Sequence, residues 1–271
     1  MRIIVPIKQV PETGAVRMDE ESGTMIREGV EAIVNPLDLY ALELAIGLRE
    51  RGQADRPGDV EVVAITMGPP TADKAVREAI SMGCDRGVLI SDRAFAGSDT
   101  WATSYVLAAA VRKLVPVDLI ICGERATDGD TGQVGPGVAA FLDLPVVTYV
   151  SAVRSIGGGT MVVERLVETG REVLEVSTPA VLTVVKEIGD PRLPTLRGKQ
   201  RARKADVPRW TPADLDVRKE DLGLSGSPTR VVRIHKPTVA RQCEKLIASD
   251  EESTAAAADR VVAFLKERQL L

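Results

Sequence analysis

Short apolar runs that alternate with longer amphipathic segments constrain the fold of this chain most strongly. The runs predict β-strands at Arg2–Ile7, Val60–Thr66, Gly87–Ile90, Asp118–Cys122 and Val146–Val150. The segments between them predict helices at about Pro36–Arg51, Thr71–Met82, Thr100–Leu114 and Gln133–Leu142. Because strands and helices in alternation are joined by right-handed crossovers, the pattern predicts a Rossmann-like α/β fold, with a parallel sheet covered by helices on both faces.

The first predicted helix carries a clear start signal. Asn35 stands at the N-cap position, and Pro36 occupies the first helical position, where its missing N–H costs nothing. Apolar residues then recur on one face of the helix, at Leu39, Leu42, Ala45, Ile46 and Leu48. We therefore expect this helix to cover one face of the sheet.

The pattern changes after residue 150. Residues 160–185 predict two strands joined by a hairpin at Thr169-Gly170, a break at Pro179 and a further strand, which together indicate an antiparallel addition to the sheet. The next segment, Lys186–Lys236, is rich in proline, glycine and charge and predicts an extended arm.

A helix is predicted at the C-terminal end of the chain. Ser249 and Glu252 have the spacing of a capping box, and the helix should run to about Arg268. The sequence thus predicts an α/β nucleotide-binding domain over residues 1–185 and a C-terminal arm with a helix over residues 186–271. A capped helix at the end of an arm needs a surface on which to dock.

Composition excludes several classes of function. The formal net charge of -4 and the pI near 5.3 disfavour a nucleic-acid partner. His235 is the single histidine, which nearly excludes a Ser-His-Asp triad or a histidine metal cluster. The cysteines, Cys84, Cys122 and Cys243, lack zinc or redox spacing and are odd in number, which fits a reducing, cytoplasmic location. No apolar run is long enough to span a membrane.

The stretch "GERATDGDTGQVGPG", which follows the apolar run "VDLIIC", predicts a ligand site. In open parallel sheets, ligands bind beyond the carboxyl ends of the strands. Gly129, Gly132 and Gly135 would let a ligand approach the backbone, and the helix that follows offers unpaired N–H groups to a phosphate. Thr131 and Gln133 can donate side-chain hydrogen bonds.

Two acidic residues within the same stretch need a different role, since a carboxylate repels phosphate. Asp128 and Asp130 are predicted to hold backbone N–H groups of the loop or to accept hydrogen bonds from ribose hydroxyls. A tight strand-to-helix turn without a ligand is the alternative reading of this loop. Two other strand ends favour a nucleotide, namely "NPLD" at Asn35–Asp38 and "MGPP" at Met67–Pro70.

These motifs resemble those of electron transfer flavoprotein β subunits, the family that includes the FixA proteins. The resemblance covers nearly the whole chain. It rests on "VPIKQVP", "NPLDLYALELA", "TMGPP", "AISMGCDRGVLI", "GERATDGDTGQVGPGVAAFLDLP" and "LPTLRGKQRARK", in that order.

The resemblance implies a fold of the adenine nucleotide α-hydrolase-like type, in a heterodimer with an α subunit that carries an electron-transferring FAD. It implies an electron-carrier subunit within an oxidoreductase complex, with a C-terminal arm that wraps around the α subunit. Nucleotide contacts are then expected at Pro6, Asn35, Pro36, Leu37, Asp38, Met67, Glu124, Arg125, Ala126, Thr127, Asp128, Gly129, Asp130, Thr131, Gly132, Gln133, Val134 and Gly135.

Members of this family are of two types. Ordinary members bind AMP in the β subunit, whereas bifurcating members hold there a second FAD, which takes hydride from NADH. AMP-type members carry bulkier residues where this chain has "DGDTGQVGP", so the glycine-rich loop resembles the FAD-bifurcating type. The sequence therefore predicts FAD as cofactor, with AMP as the alternative.

The basic segment Pro191–Lys204 contains six basic residues and no acidic one. A solvated charged loop is one reading, and a nucleic-acid patch is disfavoured because no aromatic residue is interleaved. In the resembling family, this segment is the recognition loop, whose Leu-Pro, here Leu193-Pro194, binds a partner dehydrogenase. The implied partners are an acyl-CoA dehydrogenase or a similar flavoprotein dehydrogenase, with a quinone oxidoreductase or ferredoxin as further candidates.

Two rival classes share the predicted fold. An ATP-using enzyme would carry an SGGxDS-like loop after the first strand, where this chain has "KQVPETGAV". An ATP-binding regulatory module would not need a long arm and a terminal helix. Both rivals are therefore less consistent with the sequence than an electron carrier.

Overall fold

The computed structural model describes residues 1–12, 17–18, 25–26, 32–55, 60–232 and 243–271. The chain divides into two units, Met1–Arg233 and Ile234–Leu271.

The first unit is built on one large sheet. The described residues form thirteen strands: β1 (Arg2–Pro6), β2 (Gln9–Pro11), β3 (Arg17–Met18), β4 (Met25–Ile26), β5 (Ala32–Val34), β6 (Glu61–Met67), β7 (Arg86–Ile90), β8 (Leu119–Gly123), β9 (Val146–Gly157), β10 (Thr160–Val167), β11 (Gly170–Ser177), β12 (Ala180–Val184) and β13 (Arg209–Trp210). Nine of them form the main sheet in the order β11-β10-β9-β12-β8-β1-β6-β7-β13. Strands β2 and β5, and strands β3 and β4, form two small antiparallel pairs.

Seven helices are described: α1 (Pro36–Asp55), α2 (Asp73–Met82), α3 (Thr100–Lys113), α4 (Val134–Leu142), α5 (Leu196–Lys204), α6 (Gly223–Gly226) and α7 (Glu251–Glu267). Helix α3 shows how the sequence starts such an element. The side chain of Asp99 accepts a hydrogen bond from the N–H of Ala102 and so satisfies one unpaired donor of the first turn.

The core lies in two layers, one on each face of the sheet. Along β1, Ile3 and Val5 pack with α1 and α2, whereas Ile4, between them, packs with α3 and α4. This alternation follows from the pleat of a strand, in which successive side chains point to opposite faces. The predicted α/β class, with helices on both faces of a mainly parallel sheet, is confirmed.

One strand does not lie where the sequence analysis placed it. Ala180–Val184 was predicted to belong to the antiparallel addition. This prediction is wrong, because β12 runs parallel to β8 on one side and to β9 on the other. All five residues of β12 are buried, as expected for a central parallel strand covered on both faces. The antiparallel addition consists of β9, β10 and β11, with β10 and β11 joined at the predicted hairpin.

Between residues 196 and 222, the predicted arm packs on the rest of the first unit instead of extending away from it, and its last residues, 233–236, lie outside the described part of the chain. Helix α5 packs on α2, where Ala202 is buried with Val76 and Ile80. Strand β13 pairs with β7 and covers an otherwise open sheet edge. The first unit therefore continues past residue 185, where the sequence analysis placed a domain boundary.

The second unit contains α7. Its N-cap is Asp250, whose carboxylate accepts a hydrogen bond from the N–H of Ser253, while the hydroxyl of Ser253 accepts from the N–H of Asp250. The predicted capping box of Ser249 and Glu252 is thus one residue too early. The sequence "SDEES" contains two possible capping boxes, Ser249 with Glu252 and Asp250 with Ser253, and Asp250 is the N-cap in the structure. The helix ends near Arg268 as predicted. In the part of the chain that the structure describes, no helix is long and apolar enough to cross a membrane.

Candidate functional site

A crevice opens at the carboxyl edge of the sheet, between β1 and β8. The chain passes from β1 to β6 on one side of β1 and later returns to β8 on the other side. The connections that leave β1 and β8 therefore diverge, and a point of this kind is where open α/β sheets bind ligands. Pro6 and Gly123 end these two strands.

Asp38, in the first turn of α1, joins the two strand ends. Its carboxylate accepts a hydrogen bond from the N–H of Lys8 at 2.8 Å, and the N–H of Gly123 also donates to it. The side chain is buried, and burial raises the pKa of Asp38 to about 7, although its hydrogen bonds oppose that shift. Asp38 thus ties the chain that follows β1 to the end of β8.

Gly123 is required where β8 meets α1. A Cβ atom at this position would lie 2.5 Å from Oδ1 of Asp38 and 2.8 Å from the carbonyl of Leu37. A side chain would therefore push α1 away from the end of β8. Gly123 was not among the predicted site residues, although it opens the stretch "GERATDGDTGQVGPG".

Asn35 fastens the loop that follows β8, here called the site loop (Glu124–Gly135). Its Nδ2 donates to the carbonyl of Arg125 at 2.9 Å, and its Oδ1 accepts from the N–H of Thr127 at 3.1 Å. Its own N–H donates to the carbonyl of Lys8 at 2.8 Å. Asn35 precedes α1 as predicted, but its buried side chain supports the site loop and also forms a hydrogen bond with the side chain of Asp38.

The acidic residues of the site loop are paired with cations. Nζ of Lys8 lies 2.6 Å from Oδ1 of Asp128, and Nε of Arg125 lies 3.2 Å from Asp130 and 3.3 Å from Glu124. Among the described residues, no backbone N–H of the site loop donates to either aspartate. Of the two roles predicted for Asp128 and Asp130, that of holding loop N–H groups is therefore wrong, because the nearby cations attract both carboxylates, while acceptance of hydrogen bonds from ribose hydroxyls stays a prediction.

The end of the site loop presents a run of unpaired backbone donors. Asp130 and Gly132 have φ values of 53° and 62°, and this left-handed geometry turns the chain into α4. Within the described residues, no hydrogen bond uses the N–H groups of residues 131–135. Pro136 follows, with no N–H of its own. This run, at the positive end of the α4 dipole, suits an anion.

The glycines of the site loop have different roles. A Cβ atom at Gly129 would meet nothing within 4 Å, so this position borders open space. Gly132 needs its positive φ. A Cβ at Gly135 would lie 2.5 Å from Cγ2 of Thr183, so Gly135 allows α4 to pack on β12. The expectation that Gly135 makes room beside a phosphate is wrong, because its missing side chain faces the sheet.

The remaining predicted residues surround the crevice at different depths. Pro6 is buried at the end of β1, Pro36 is exposed and Leu37 is half-buried. Met67 ends β6 and packs with the apolar residues beneath α3 and α4. Among the side chains of the loop, Gln133 accepts a hydrogen bond from the hydroxyl of Thr100. The sequence analysis also missed Lys8, whose motif "PIKQV" gave no sign that its side chain spans the crevice.

A second candidate surface lies at residues 191–196, here called the docking segment. The guanidinium of Arg192 pairs with Glu43 and Glu50 of α1, and these contacts lower the pKa values of both carboxyls. On the other side, Arg201 of α5 donates to the carbonyls of Ile80 and Cys84.

Two leucines stand out from the docking segment between these anchors. Leu193 is 86% exposed, and Leu196, which the sequence analysis did not select, is 82% exposed. The side chain of Thr195 caps α5 between them. Large apolar side chains held this far out of the core favour a protein partner at this surface.

Comparison with known proteins adds a family to this geometry. Residues 22–215 match the model of the electron transfer flavoprotein domain. An electron transfer flavoprotein subunit beta of Thermoanaerobacterium thermosaccharolyticum is 46% identical over 254 residues, which cover 93% of this chain and 95% of the relative.

Two further relatives carry other names. The caffeyl-CoA reductase-Etf complex subunit CarD of Acetobacterium woodii is 43% identical over 271 residues, which cover 100% of both chains. The protein FixA of Bradyrhizobium diazoefficiens is 40% identical over 279 aligned positions, which cover 100% of this chain and 93% of the relative.

Proposed function

The chain belongs to the electron transfer flavoprotein family as a β subunit, and from this premise we propose that it binds FAD in the crevice between β1 and β8. β subunits of this family pair with an α subunit and with partner dehydrogenases in electron transfer. The proposal adds that the FAD accepts hydride from NADH and that the heterodimer divides the electrons between two acceptors.

The observation that carries the proposal is the run of unpaired N–H groups at residues 131–135. Backbone donors at a helix start bind phosphate groups without adding a side chain to the site. Lys8 and Arg125 supply positive charge on the same crevice. This set of donors fits the diphosphate of an adenine dinucleotide.

FAD is favoured over AMP by the space beside Gly129. A Cβ atom there would meet no atom within 4 Å, so the site loop leaves room past the first phosphate. The relative CarD, named as a subunit of a caffeyl-CoA reductase-Etf complex, supports a role in such a complex. AMP held as a structural nucleotide is the alternative, in which electrons pass only through the FAD of the α subunit.

When bound, FAD would supply the hydride-accepting and electron-transferring chemistry. The residues of this chain would bind and orient it. The N–H groups of residues 131–135 would hold the phosphates, while Asn35 and Asp38 would keep the site loop and the strand ends in place. No acid–base pair is required of the protein for this role.

The docking segment would bind the partner dehydrogenase. Leu193 and Leu196 are exposed between the anchors Arg192 and Arg201, and an apolar anchor within a charged rim is typical of a small interface. The proposal further assigns α7 to the interface with the α subunit.

Substitution of Gly129 tests the cofactor proposal. Gly129→Asp would place a negative charge beside the phosphates, while the open space around Gly129 lets the chain fold normally. Gly129→Ala is the matched control, since it adds a Cβ without charge. The heterodimer with Gly129→Asp should lose the FAD of this chain and keep that of the α subunit. Equal FAD content in both variants would contradict binding at the site loop.

A further inference from the structure

Lys8 has no role in the function proposed above beyond its charge, yet its position is unusually well determined. Its N–H donates to the buried carboxylate of Asp38, and its carbonyl accepts from the N–H of Asn35, each at 2.8 Å. The backbone of Lys8 is thus fixed at the end of β1, while its side chain is 47% exposed. A fixed backbone with an exposed, charged side chain is suited to ligand binding.

The ion pair that Lys8 forms with Asp128 is accessible to solvent. Nζ reaches across the crevice to Oδ1 of Asp128 at 2.6 Å, in a site loop that Asn35 holds at Arg125 and Thr127. An ion pair this accessible to solvent contributes little to stability, because water and salt screen it and two long side chains lose freedom. A ligand of higher charge can therefore replace Asp128 at little cost.

The charge of the site loop favours such a replacement. Glu124, Asp128 and Asp130 provide three carboxylates, against the two cations Lys8 and Arg125. A phosphate group that approached residues 131–135 would meet a net negative surface unless a cation turned towards it. Arg125 contacts two of the carboxylates, whereas Lys8 contacts one.

We infer that Lys8 binds a phosphate of the adenine nucleotide and that it exchanges its ion pair with Asp128 for that contact. The inference rests on the proposed function and extends it with a residue that sets affinity for phosphate. A charge-assisted hydrogen bond from an ammonium to a phosphate is stronger than an exposed pair with a carboxylate. Asp128 therefore holds Lys8 in place before the nucleotide binds and competes with the nucleotide for it.

The test measures the affinity of ADP, AMP and adenosine for the heterodimer formed by the full-length chain and its α subunit, freed of nucleotide at this site. Calorimetric titration at low ionic strength and without phosphate buffer keeps screening small. The variants are Lys8→Gln, Lys8→Arg, Asp128→Asn and the double variant of Lys8→Gln with Asp128→Asn. Lys199→Gln is the control for charge, because it removes one positive charge far from the crevice. Lys199 lies in α5, which packs against the C-terminal end of α2, and α2 leads to the amino end of β7, at the opposite edge of the sheet.

Lys8→Gln should weaken ADP binding by at least about tenfold and leave adenosine within roughly twofold, because the lost contact is a charged hydrogen bond to phosphate. Lys8→Arg should retain most of the affinity for ADP. Asp128→Asn should tighten ADP binding, and that gain should disappear when Lys8 is also replaced. Lys199→Gln should leave all three affinities unchanged.

Two results would overturn the inference while leaving the proposed function intact. One is that ADP binding is unaffected by Lys8→Gln, and the other is that ADP and adenosine weaken by the same factor. If the unsubstituted heterodimer bound none of the three ligands, the nucleotide site itself would be wrong, and the role of Lys8 with it.

Discussion

The crevice between β1 and β8 and the docking segment present opposite chemistry on the same unit. The crevice exposes charges and unpaired N–H groups, and it is supported by the buried side chains of Asn35 and Asp38. The docking segment exposes two leucines, and it is supported by half-exposed ion pairs of Arg192. Each region thus holds its exposed groups with residues that a ligand or partner need not touch.

The two regions differ in how much stability is lost when a supporting residue is replaced. A buried polar group that loses its partner leaves unsatisfied donors in the protein interior, which destabilises the fold. An ion pair in contact with water contributes much less. We therefore expect substitutions beneath the crevice to reduce stability, and substitutions in the docking segment to reduce partner binding while the fold is retained.

The largest effect should come from Asp38→Asn, measured as a dependence of stability on pH. Burial raises the pKa of Asp38 from 3.8 to about 7 in the folded protein, so the folded state keeps a proton that the unfolded chain has lost. The stabilisation is complete below pH 3.8 and is lost as the pH rises through about 7, with a total on the order of 4 kcal/mol. Urea unfolding from pH 4 to pH 8 measures it.

The difference in stability between the original chain and Asp38→Asn should therefore fall steadily across this range. Asp128→Asn is the control, because its carboxylate lies at the surface of the same crevice. Parallel curves for the original chain and Asp38→Asn would show that the buried carboxyl does not take up a proton near neutral pH.

The next effect should come from Gly123→Ala, compared with Gly129→Ala. At position 123, the new Cβ would collide with Asp38 and the backbone of Leu37, whereas at position 129 it meets no atom within 4 Å. The first substitution should reduce the free energy of unfolding by up to about 3 kcal/mol, and the second by less than about 0.5 kcal/mol. Equal losses would mean that β8 and α1 do not meet as closely as described.

A moderate effect is expected on partner binding when the exposed leucines are replaced. Leu193→Ala and Leu196→Ala should each weaken binding of the dehydrogenase by roughly 2 kcal/mol, because an apolar anchor fills a pocket on the partner. Stability and cofactor content should not change. Val173→Ala, at an exposed valine of β11, is the control. If both leucine variants bound the dehydrogenase as tightly as the original chain, the docking segment would not be part of the interface.

The smallest effect should come from Arg192→Gln. This variant loses the pairs with Glu43 and Glu50, which solvent partly screens, so stability should fall by about 1 kcal/mol. Arg197→Gln, at an exposed arginine of the same basic segment, should cost less. If Arg192→Gln lowered the free energy of unfolding by several kcal/mol, the docking segment would depend on its supports as strongly as the crevice does.

The sequence predicted most of the α/β core because its signals are local. Apolar runs, Pro36 and the hairpin at Thr169-Gly170 each indicate one element without reference to the rest of the chain. The parallel direction of β12 could not be predicted in this way, because a short apolar run such as residues 180–184 fits a parallel or an antiparallel strand equally well. The packing of α5 on α2 depends on Gly198, whose Cβ would lie 2.0 Å from the carbonyl of Ser81 and which looks like a loop residue in the sequence.

The sequence indicated several residues that the structure brings together, but it did not indicate their contacts. The resemblance indicated Asn35, Asp38 and the site loop, and the structure joins these by hydrogen bonds. The roles of Gly123 and Lys8 depend on contacts between residues about 30 to 120 positions apart, which spacing within a motif does not reveal. For the same reason, the sequence offered loop N–H groups or ribose hydroxyls as partners of Asp128 and Asp130 and did not indicate their ion pairs with Lys8 and Arg125.

The number of cofactors in the heterodimer tests the central claim most directly. The full-length chain would be purified with its α subunit, equilibrated with excess FAD and AMP, and freed of unbound nucleotide, and both cofactors would be counted after denaturation. If the crevice between β1 and β8 holds FAD, each heterodimer should contain two FAD molecules and no AMP. One FAD with one AMP in each heterodimer would contradict the account and would make this chain an ordinary AMP-binding β subunit.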